Sequence, residues 1–458
     1  MALGDRLIRA AAVGIAGRYE RRVPFRTADW ILRAQERRLR AIVAHAYESV
    51  PFYQRVMRER GLRPADIRRV EDLERLPMID GTMVGEHPED FLSSRVPKAG
   101  QRILYSTGSG TRVRRLVAWD RPALLRQAVI GDRDRAVLYR LLRREWGITR
   151  VSLFPQQSTT HEVTRYLQGR ILIPRWVNRT VFLSPDLPVE EVAARLTEIG
   201  PDVVFSYGSY AEHFFRTVAD RGIDLRAPRV WVYGADRLSG PGRAFIEERF
   251  GCLVYSTYHA VEAGRIGFEC ERRAGFHLNI DRCALRLVDG SGRTVPPGAI
   301  GEVVISNLEN RATVLLNYRL GDQAVMAASA CGCGRSLPVL EHLVGRTSEV
   351  LHLADGRSLP DFVLIHACKK DLRAVLQSQL VEDGPGRFRW RVVPGRDADR
   401  EVLGAGLLRG AESVLGPDDR LRIEFVGTLS VTGIEKLRRV IREDGWASGR
   451  VEAGPPED

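Results

Sequence analysis

The chain has 458 residues, 44% hydrophobic and 28% charged, a composition ordinary for a soluble globular protein of two or three domains. No apolar run approaches the ~20 residues that span a bilayer, so no membrane-spanning helix is expected. The net charge of +12 comes from 70 basic against 58 acidic residues, and only Lys98, Lys369, Lys370 and Lys436 are lysine. The arginines are scattered opposite Glu and Asp rather than gathered in an aromatic-studded stripe, so the charge argues against a nucleic-acid partner.

In chain order, RAAAVGIAG is apolar but short, and RYERR follows it without a cleavage site. It reads as a helix start rather than a secretion signal, and the expected compartment is the cytoplasm. Residues 1–75 are helical in pattern. ADWILRAQERRLRAIVAHAYESV carries apolar residues at three- and four-residue spacing, VPFY ends that segment, and LRPADIRRVEDLERLP holds two short helices with Asp at the caps.

At 105–117 stands YSTGSGTRVRRLV. Small residues let backbone N–H groups converge on an anion and hydroxyls add donors, so this stretch is a candidate phosphate loop. The same residues are ordinary turn formers, and the Walker pattern is absent, so a turn between two strands stands beside it.

From about 100 to 345, β-rich runs alternate with helices. RVSLFP, ILIP, VVFSYG, RVWVYGA and LVYSTY read as buried strands, while PVEEVAARLTEIG and GPGRAFIEERFG read as helices that close at Gly. The alternation predicts an α/β fold, a layered core with helices against a largely parallel sheet. CALRLVDGSGRTVPPGAIGEVVISNL then predicts a more antiparallel β subdomain. A separate small α+β domain is expected over 347–458, after a large domain over 1–346.

Several constellations carry chemistry. Tyr258 to Glu262 has the form Y-x-x-x-E beside a strand, where a carboxylate at a cleft can hold Mg²⁺ on a triphosphate; a helix-capping or surface Glu is the plainer reading. In VLLNYRLGDQAVM, Asp322 at a strand end can accept both hydroxyls of a ribose, or simply sit in a β-turn. Arg346 and Glu349 fall at the domain junction. Lys436 stands at a loop-to-helix transition in LSVTGIEKLRRVIRE, and in so arginine-rich a chain a retained ammonium suits a changing charge.

Cys270 and His277 in FECERRAGFHLN, with Cys331 and Cys333 in ASACGCGRSLP, suit a tetrahedral Cys₃His zinc site of structural role. Small buried cysteines also pack as hydrophobes. Cys252, Cys283 and Cys368 lack comparable partners and read as core. His161-Glu162 has the start of H-E-x-x-H, but Arg165 takes the second ligand position, which rejects a zinc protease.

These motifs, in this order and over nearly the whole chain, resemble the adenylate-forming enzymes, in particular the phenylacetate–CoA ligase-like branch with its capsule-biosynthesis relatives. LRAIVAHAYESVPFYQRVMRERGLRPADIRRVEDLERLP matches the branch's N-terminal signature. The family's phosphate loop matches Ser106, Thr107, Gly108, Ser109, Gly110 and Thr111, and its segment beside adenine matches Gly234, Ala235 and Asp236. Its Y-G-x-T-E motif matches Tyr258 to Glu262, its ribose-binding aspartate Asp322, its junction arginine Arg346 and its catalytic lysine Lys436. Thr111 and Val113 replace a usual Gly and Pro, His259 replaces the motif's Gly, and Glu435 replaces the Gly before the lysine.

The resemblance implies ATP and Mg²⁺ as cofactors and an acyl-adenylate as intermediate. Coenzyme A is the acceptor in the family's ligases, and some members carry a metal in the cysteine region. It also implies a small domain that rotates between half-reactions about residues 347–349. Glu262 and Lys436 would then be catalytic. The expected partners are a small carboxylic acid, aromatic or amino, and an acceptor nucleophile, without nucleic acid or a membrane span and with a homodimer allowed. FPQQSTTHEV and FSYGSYAEHF are the expected pocket walls. Two other readings stand beside this one: an adenylating tailoring enzyme with a different acceptor or an inorganic acid, and a degenerate relative that binds nucleotide without turnover.

Overall fold

The computed structural model describes residues 3–107, 114–171, 177–346, 350–368, 370–427, 429 and 440–442. The chain divides into two compact units, Met1–Val218 with Gly222–Thr347, and Ser348–Asp458 with Ala219–Arg221.

The first unit opens with helices α1 (Leu3–Glu20), α2 (Ala28–Ser49), α3 (Pro51–Glu59) and α4 (Gly81–Glu86). The Thr27 hydroxyl caps α2 by accepting from the Trp30 amide at 3.3 Å. VPFY does more than end that helix: Pro51, whose missing N–H costs nothing at a helix start, begins α3. The two short helices expected next are single 3₁₀ turns, Pro64–Asp66 and Glu71–Arg75. Strands β1 (Gln101–Thr107) and β2 (Arg114–Asp120) then pair antiparallel.

The layered part follows as α5 (Arg121–Ile130), α6 (Asp132–Leu142), β3 (Ile148–Leu153), α7 (Thr159–Gln168), β4 (Asn178–Leu183), α8 (Val189–Ile199), β5 (Val203–Ser206), α9 (Gly208–Asp220), β6 (Val230–Tyr233) and α10 (Gly240–Phe250). Gly200 and Gly251 close α8 and α10 in the left-handed region, with φ of 57° and 61°, as the sequence predicts. ILIP falls mainly outside the described residues, and the strand nearby is β4, in NRTVFL. After β7 (Leu253–Ala260) come β8 (Gly264–Glu269), β9 (Phe276–Leu278), β10 (Cys283–Val288), β11 (Ile300–Asn307), β12 (Tyr318–Met326) and β13 (Val339–Arg346).

The α/β part and the β subdomain share one eleven-stranded sheet, ordered β10-β11-β12-β13-β9-β8-β7-β6-β5-β3-β4. Strands β3 to β7 are parallel, and from β7 to β10 every pairing is antiparallel. Strand β7 is therefore the seam, and the carboxyl ends of β5, β6 and β7 lie together at one edge. Trp231, Phe214 and Phe215 fill the core beneath this edge.

A buried ionic knot ties the N-terminal helices to the sheet. The Arg133 guanidinium is fully enclosed and bonds Glu20 at 2.6 Å and Asp281 at 2.7 Å. Such a buried pair stays favourable only when its remaining donors are met, and Asn279 Oδ1 accepts another at 2.9 Å.

The second unit comprises β14 (Val350–His352), β15 (Ser358–Pro360), α11 (Asp361–Ala367), β16 (Val375–Gly384), β17 (Arg387–Pro394), α12 (Arg400–Glu412), β18 (Arg420–Phe425) and β19 (Val440–Arg442). Its four-stranded sheet runs β18-β17-β16-β19 over a core of Trp390, Leu403 and Leu407.

Candidate active site

The phosphate-loop candidate connects the two strands of a hairpin. Ser106 and Thr107 end β1, Thr107 faces Arg114 across the pair, and Gly108, Ser109, Gly110 and Thr111 lie outside the described residues. Ser106 and Arg115 are cross-strand partners, which puts both side chains on one face.

That face meets Glu262. This residue neither caps a helix nor sits on the surface: it is buried in the turn between β7 and β8. Its Oε1 accepts from the Ser106 hydroxyl at 2.7 Å and from the Tyr318 phenol at 3.4 Å. Arg115 lies 4.0 Å from the same oxygen and donates to the Tyr318 hydroxyl at 3.1 Å. Burial, then the Glu262 charge, raises the Tyr318 phenol well above its ordinary value, so it stays protonated as a donor. Asn307 holds the Glu262 carbonyl at 2.9 Å and the Trp119 indole holds the Val261 carbonyl at 2.9 Å.

Asp322 is not in a turn and not at a strand end. It lies within β12, paired with Arg346 of β13, because β12 keeps partners on both sides and runs on through Gly321, whose φ is 81°. The Tyr258 hydroxyl donates to Asp322 Oδ2 at 2.6 Å. Two predicted residues 64 positions apart thus form one unit. The Arg346 side chain and Lys436, with the 347–349 junction and Glu349, lie outside the described residues.

Gly234, Ala235 and Asp236 follow β6 at the carboxyl edge. A Cβ on Gly234 would lie 3.1 Å from the Thr257 carbonyl, a tight approach that favours glycine. Ala235 takes a φ of 68°, an unfavourable conformation for a side-chain-bearing residue. The Asp236 carboxylate accepts from the Gly208 amide, from the Ser209 amide at 3.3 Å and from the Ser209 hydroxyl. It caps the N-terminus of α9, a natural place for a negative charge.

His259, standing where the resembled motif has Gly, is held well below its ordinary pKa by burial and then by Arg265, and is a neutral imidazole. His161 is buried against Phe182 with ring centroids 4.4 Å apart. The two predicted wall segments touch through Phe154 and Tyr207, whose rings meet edge to face at 5.1 Å.

Away from this edge, the ligand atoms of Cys270, His277, Cys331 and Cys333 all lie within 4.8 Å of one another. Cys270 follows β8 and His277 lies on β9, so one hairpin supplies two donors, and the β12–β13 connection supplies the others. The Cys270 and Cys331 sulfurs are 3.7 Å apart, and Cys333 Sγ lies 3.3 Å from His277 Nε2. Burial pushes the Cys270 thiol up to about 11 and, with Arg335, pushes His277 down to about 4. Burial also opposes ionisation of Cys333, but hydrogen bonds from the Arg335 amide and guanidinium outweigh it and lower that thiol. Cys252, Cys283 and Cys368 are buried, as expected of core residues.

Sequence reasoning missed Tyr318, Arg115 and Asn307. The signal for Tyr318 is strand periodicity, since residues 318 and 322 fall on one face of β12. For Arg115 it is the hairpin register opposite Ser106.

No family model matches the chain. It is similar to the phenylacetate-coenzyme A ligase of Thermus thermophilus, 27% identical over 328 residues that cover 69% of this chain and 70% of that protein. The ligase of the same name from Escherichia coli is 23% identical, covering 72% and 74%. Among solved structures, 2-hydroxyisobutyryl-CoA ligase in the postadenylation state, in complex with R3-HIB-AMP, matches with a TM-score of 0.75 at 19% identity over 92% of each chain. Relatives and fold neighbours alike are acyl-CoA or adenylate-forming ligases, and the chain shares the fold of that class. The likeness is consistent with the phenylacetate–CoA ligase-like branch of the adenylate-forming superfamily, and it supports an AMP-forming ligase with ATP-dependent acyl-CoA ligase activity.

Proposed function

We propose that this protein activates an aromatic or amino carboxylic acid as its acyl-adenylate and passes the acyl group to coenzyme A, working in the cytoplasm. The observation that carries the reading is the 2.7 Å bond from Ser106 to the buried Glu262, which joins the phosphate-loop hairpin to the carboxyl edge of the sheet. In the first step a carboxylate oxygen of the acid attacks the α-phosphorus of ATP and pyrophosphate leaves. In the second the thiol displaces AMP. Asp322, aimed by Tyr258, takes the ribose hydroxyls; Gly234, Ala235 and Asp236 line the adenine; Ser106 to Thr111 cradle the phosphates. Lys436 and Arg346 act from the small unit and its junction, and the Phe154–Tyr207 pair supports an aromatic wall for the acid.

Glu262 suits Mg²⁺. Ser106 and Tyr318 both donate to Oε1 and Arg115 lies nearest that same oxygen, which leaves Oε2 as the hard oxygen a small dication takes. When bound, the ion supplies charge neutralisation at the phosphate oxygens. The three thiols and one imidazole of the cysteine cluster suit Zn²⁺ in a structural role, with all four protein donors used. Metal analysis of the purified chain is expected to give one zinc per molecule; a content below about a tenth of an equivalent would sink that assignment.

The function is tested by acid-dependent exchange of labelled pyrophosphate into ATP over aromatic, amino, short-chain and inorganic acids, with Lys436→Ala and Asp322→Ala alongside. Exchange with one acid class, reduced about 10²–10³-fold in Lys436→Ala, is expected. Thioester formation on adding coenzyme A then identifies the acceptor. Exchange without thioester would move the second step to another nucleophile, and no exchange with any acid would refute adenylation.

A further inference from the structure

Helix α1 carries its apolar face on the wrong side for a helix that serves only the core. Its inner face is made of small or polar groups: Gly17 is buried so closely on α6 that a Cβ there would lie 2.2 Å from the Asp132 carboxylate, and Glu20 is buried in the Arg133 knot. The large apolar side chains point outward, with Leu7 49% exposed, Ile8 70%, Ile15 73% and Tyr19 47%. At 100° per residue these four, with Ala11 and Ala12, fall within an arc of about 140°. Amphipathic helices normally turn such an arc inward.

The charges on and next to this face decide what covers it. The exposed charged side chains of the described part of α1 are Arg9 and Arg18, neither in an ion pair, and Arg22 follows just past its end. Glu20, the acidic residue of that part, is consumed inside the molecule by Arg133 and Arg282. Two copies of this helix packed face to face would set Arg9, Arg18 and Arg22 of one against the same arginines of the other, a surplus of positive charge that the single Asp5 at the helix's amino end does not balance. An anionic lipid surface answers both features, since headgroups pair with Arg18 on the face and Arg9 beyond its edge while Leu7, Ile8 and Ile15 enter the acyl boundary and Tyr19 sits at the interface. The chain's net charge of +12 favours approach to such a surface.

We propose that α1 is a peripheral membrane-docking helix that holds this protein on anionic bilayers, independently of its catalytic reading. The test is flotation of the full chain with phosphatidylcholine vesicles and with vesicles that also contain phosphatidylglycerol, at low and high salt. Binding is expected to the anionic vesicles alone, weakening as salt screens the arginines. Ile8→Asp/Ile15→Asp is expected to lower the bound-to-free ratio on the order of tenfold or more. Arg9→Gln/Arg18→Gln should reduce binding less and flatten its salt dependence. All four positions are exposed, so unchanged melting temperatures are expected. If the aspartate pair melts early, Ile8→Ser/Ile15→Ser replaces it in the same assay. Absence of binding to anionic vesicles, or binding that the double variants leave intact, overturns the proposal. So does a concentration-dependent dimer in sedimentation that Ile8→Asp/Ile15→Asp dissolves, because a second copy would then occupy the face.

Discussion

The Tyr258 phenol decides how Asp322 is aimed. Its hydroxyl fixes Oδ2 at 2.6 Å from a ring that is itself buried, so the carboxylate arrives with one oxygen already oriented. Tyr258→Phe keeps the ring and removes the bond. A hydrogen bond to a charged group is worth ~1.5–3 kcal/mol, so KM for ATP in pyrophosphate exchange is expected to rise about tenfold or more with kcat little changed. Asp322→Ala should impair both. An unchanged KM in Tyr258→Phe would mean that the Tyr258 bond does not aim Asp322 at the nucleotide. Glu262 follows a related logic. Two donors converge on one of its oxygens, which fixes how the carboxylate is turned, and Arg115 donates to the Tyr318 hydroxyl that makes one of those bonds. The types and spacings of Tyr258, Glu262 and Asp322 were legible in the sequence. Their partners were not, because Ser106 lies 156 residues from Glu262, and such pairings depend on strand order rather than on any local pattern.

Legibility improves where the cause is local. The ends of α8 and α10 were readable because glycine at a left-handed terminus needs no distant partner. Strand β4 escaped because it is the sheet's edge and its residues are only half-buried or exposed, so it never shows the continuous apolar run of its neighbours. The turn after β6 lies between these cases. A close approach to Thr257 favours Gly234, whereas Ala235 holds a φ of 68° that costs an L-residue ~1–2 kcal/mol. Ala235→Gly relieves that strain while loosening the unfolded chain, so a net gain of a few tenths to about 1 kcal/mol is expected in the urea midpoint. If the strain presents the backbone to the adenine, the stabilised variant should exchange pyrophosphate more slowly. A variant that is both more stable and fully active would make the strain incidental.

For the whole molecule, the parallel and antiparallel halves were legible as two textures, but their fusion through β7 was not, since neither half's periodicity says which edge it will share. Burial then makes pH a probe of the assembled fold. His259 has a folded-state pKa well below 6.5, with burial the first cause and Arg265 the second. The unfolded chain therefore takes up a proton as pH falls below about 6.5 while the folded chain does not. Stability from this group is full above that pH and is lost on acidification toward the folded value, at up to ~1.4 kcal/mol per pH unit. His45 and His161 are lowered in the same direction, again by burial first, and add to the slope. At lower pH the ionic knot fails in turn. Burial alone would raise Asp281, but Arg133 outweighs it and holds the carboxyl at about 2, so its stabilisation is present above about 3.9 and lost as pH falls through about 2. Urea midpoints followed from about pH 7.5 downward should fall in these two stages, and His259→Gln should remove one histidine's share of the first while sparing the second. An unaltered first stage in that variant would mean that His259 is protonated in the fold, and the Arg265 contact could not then be what it is.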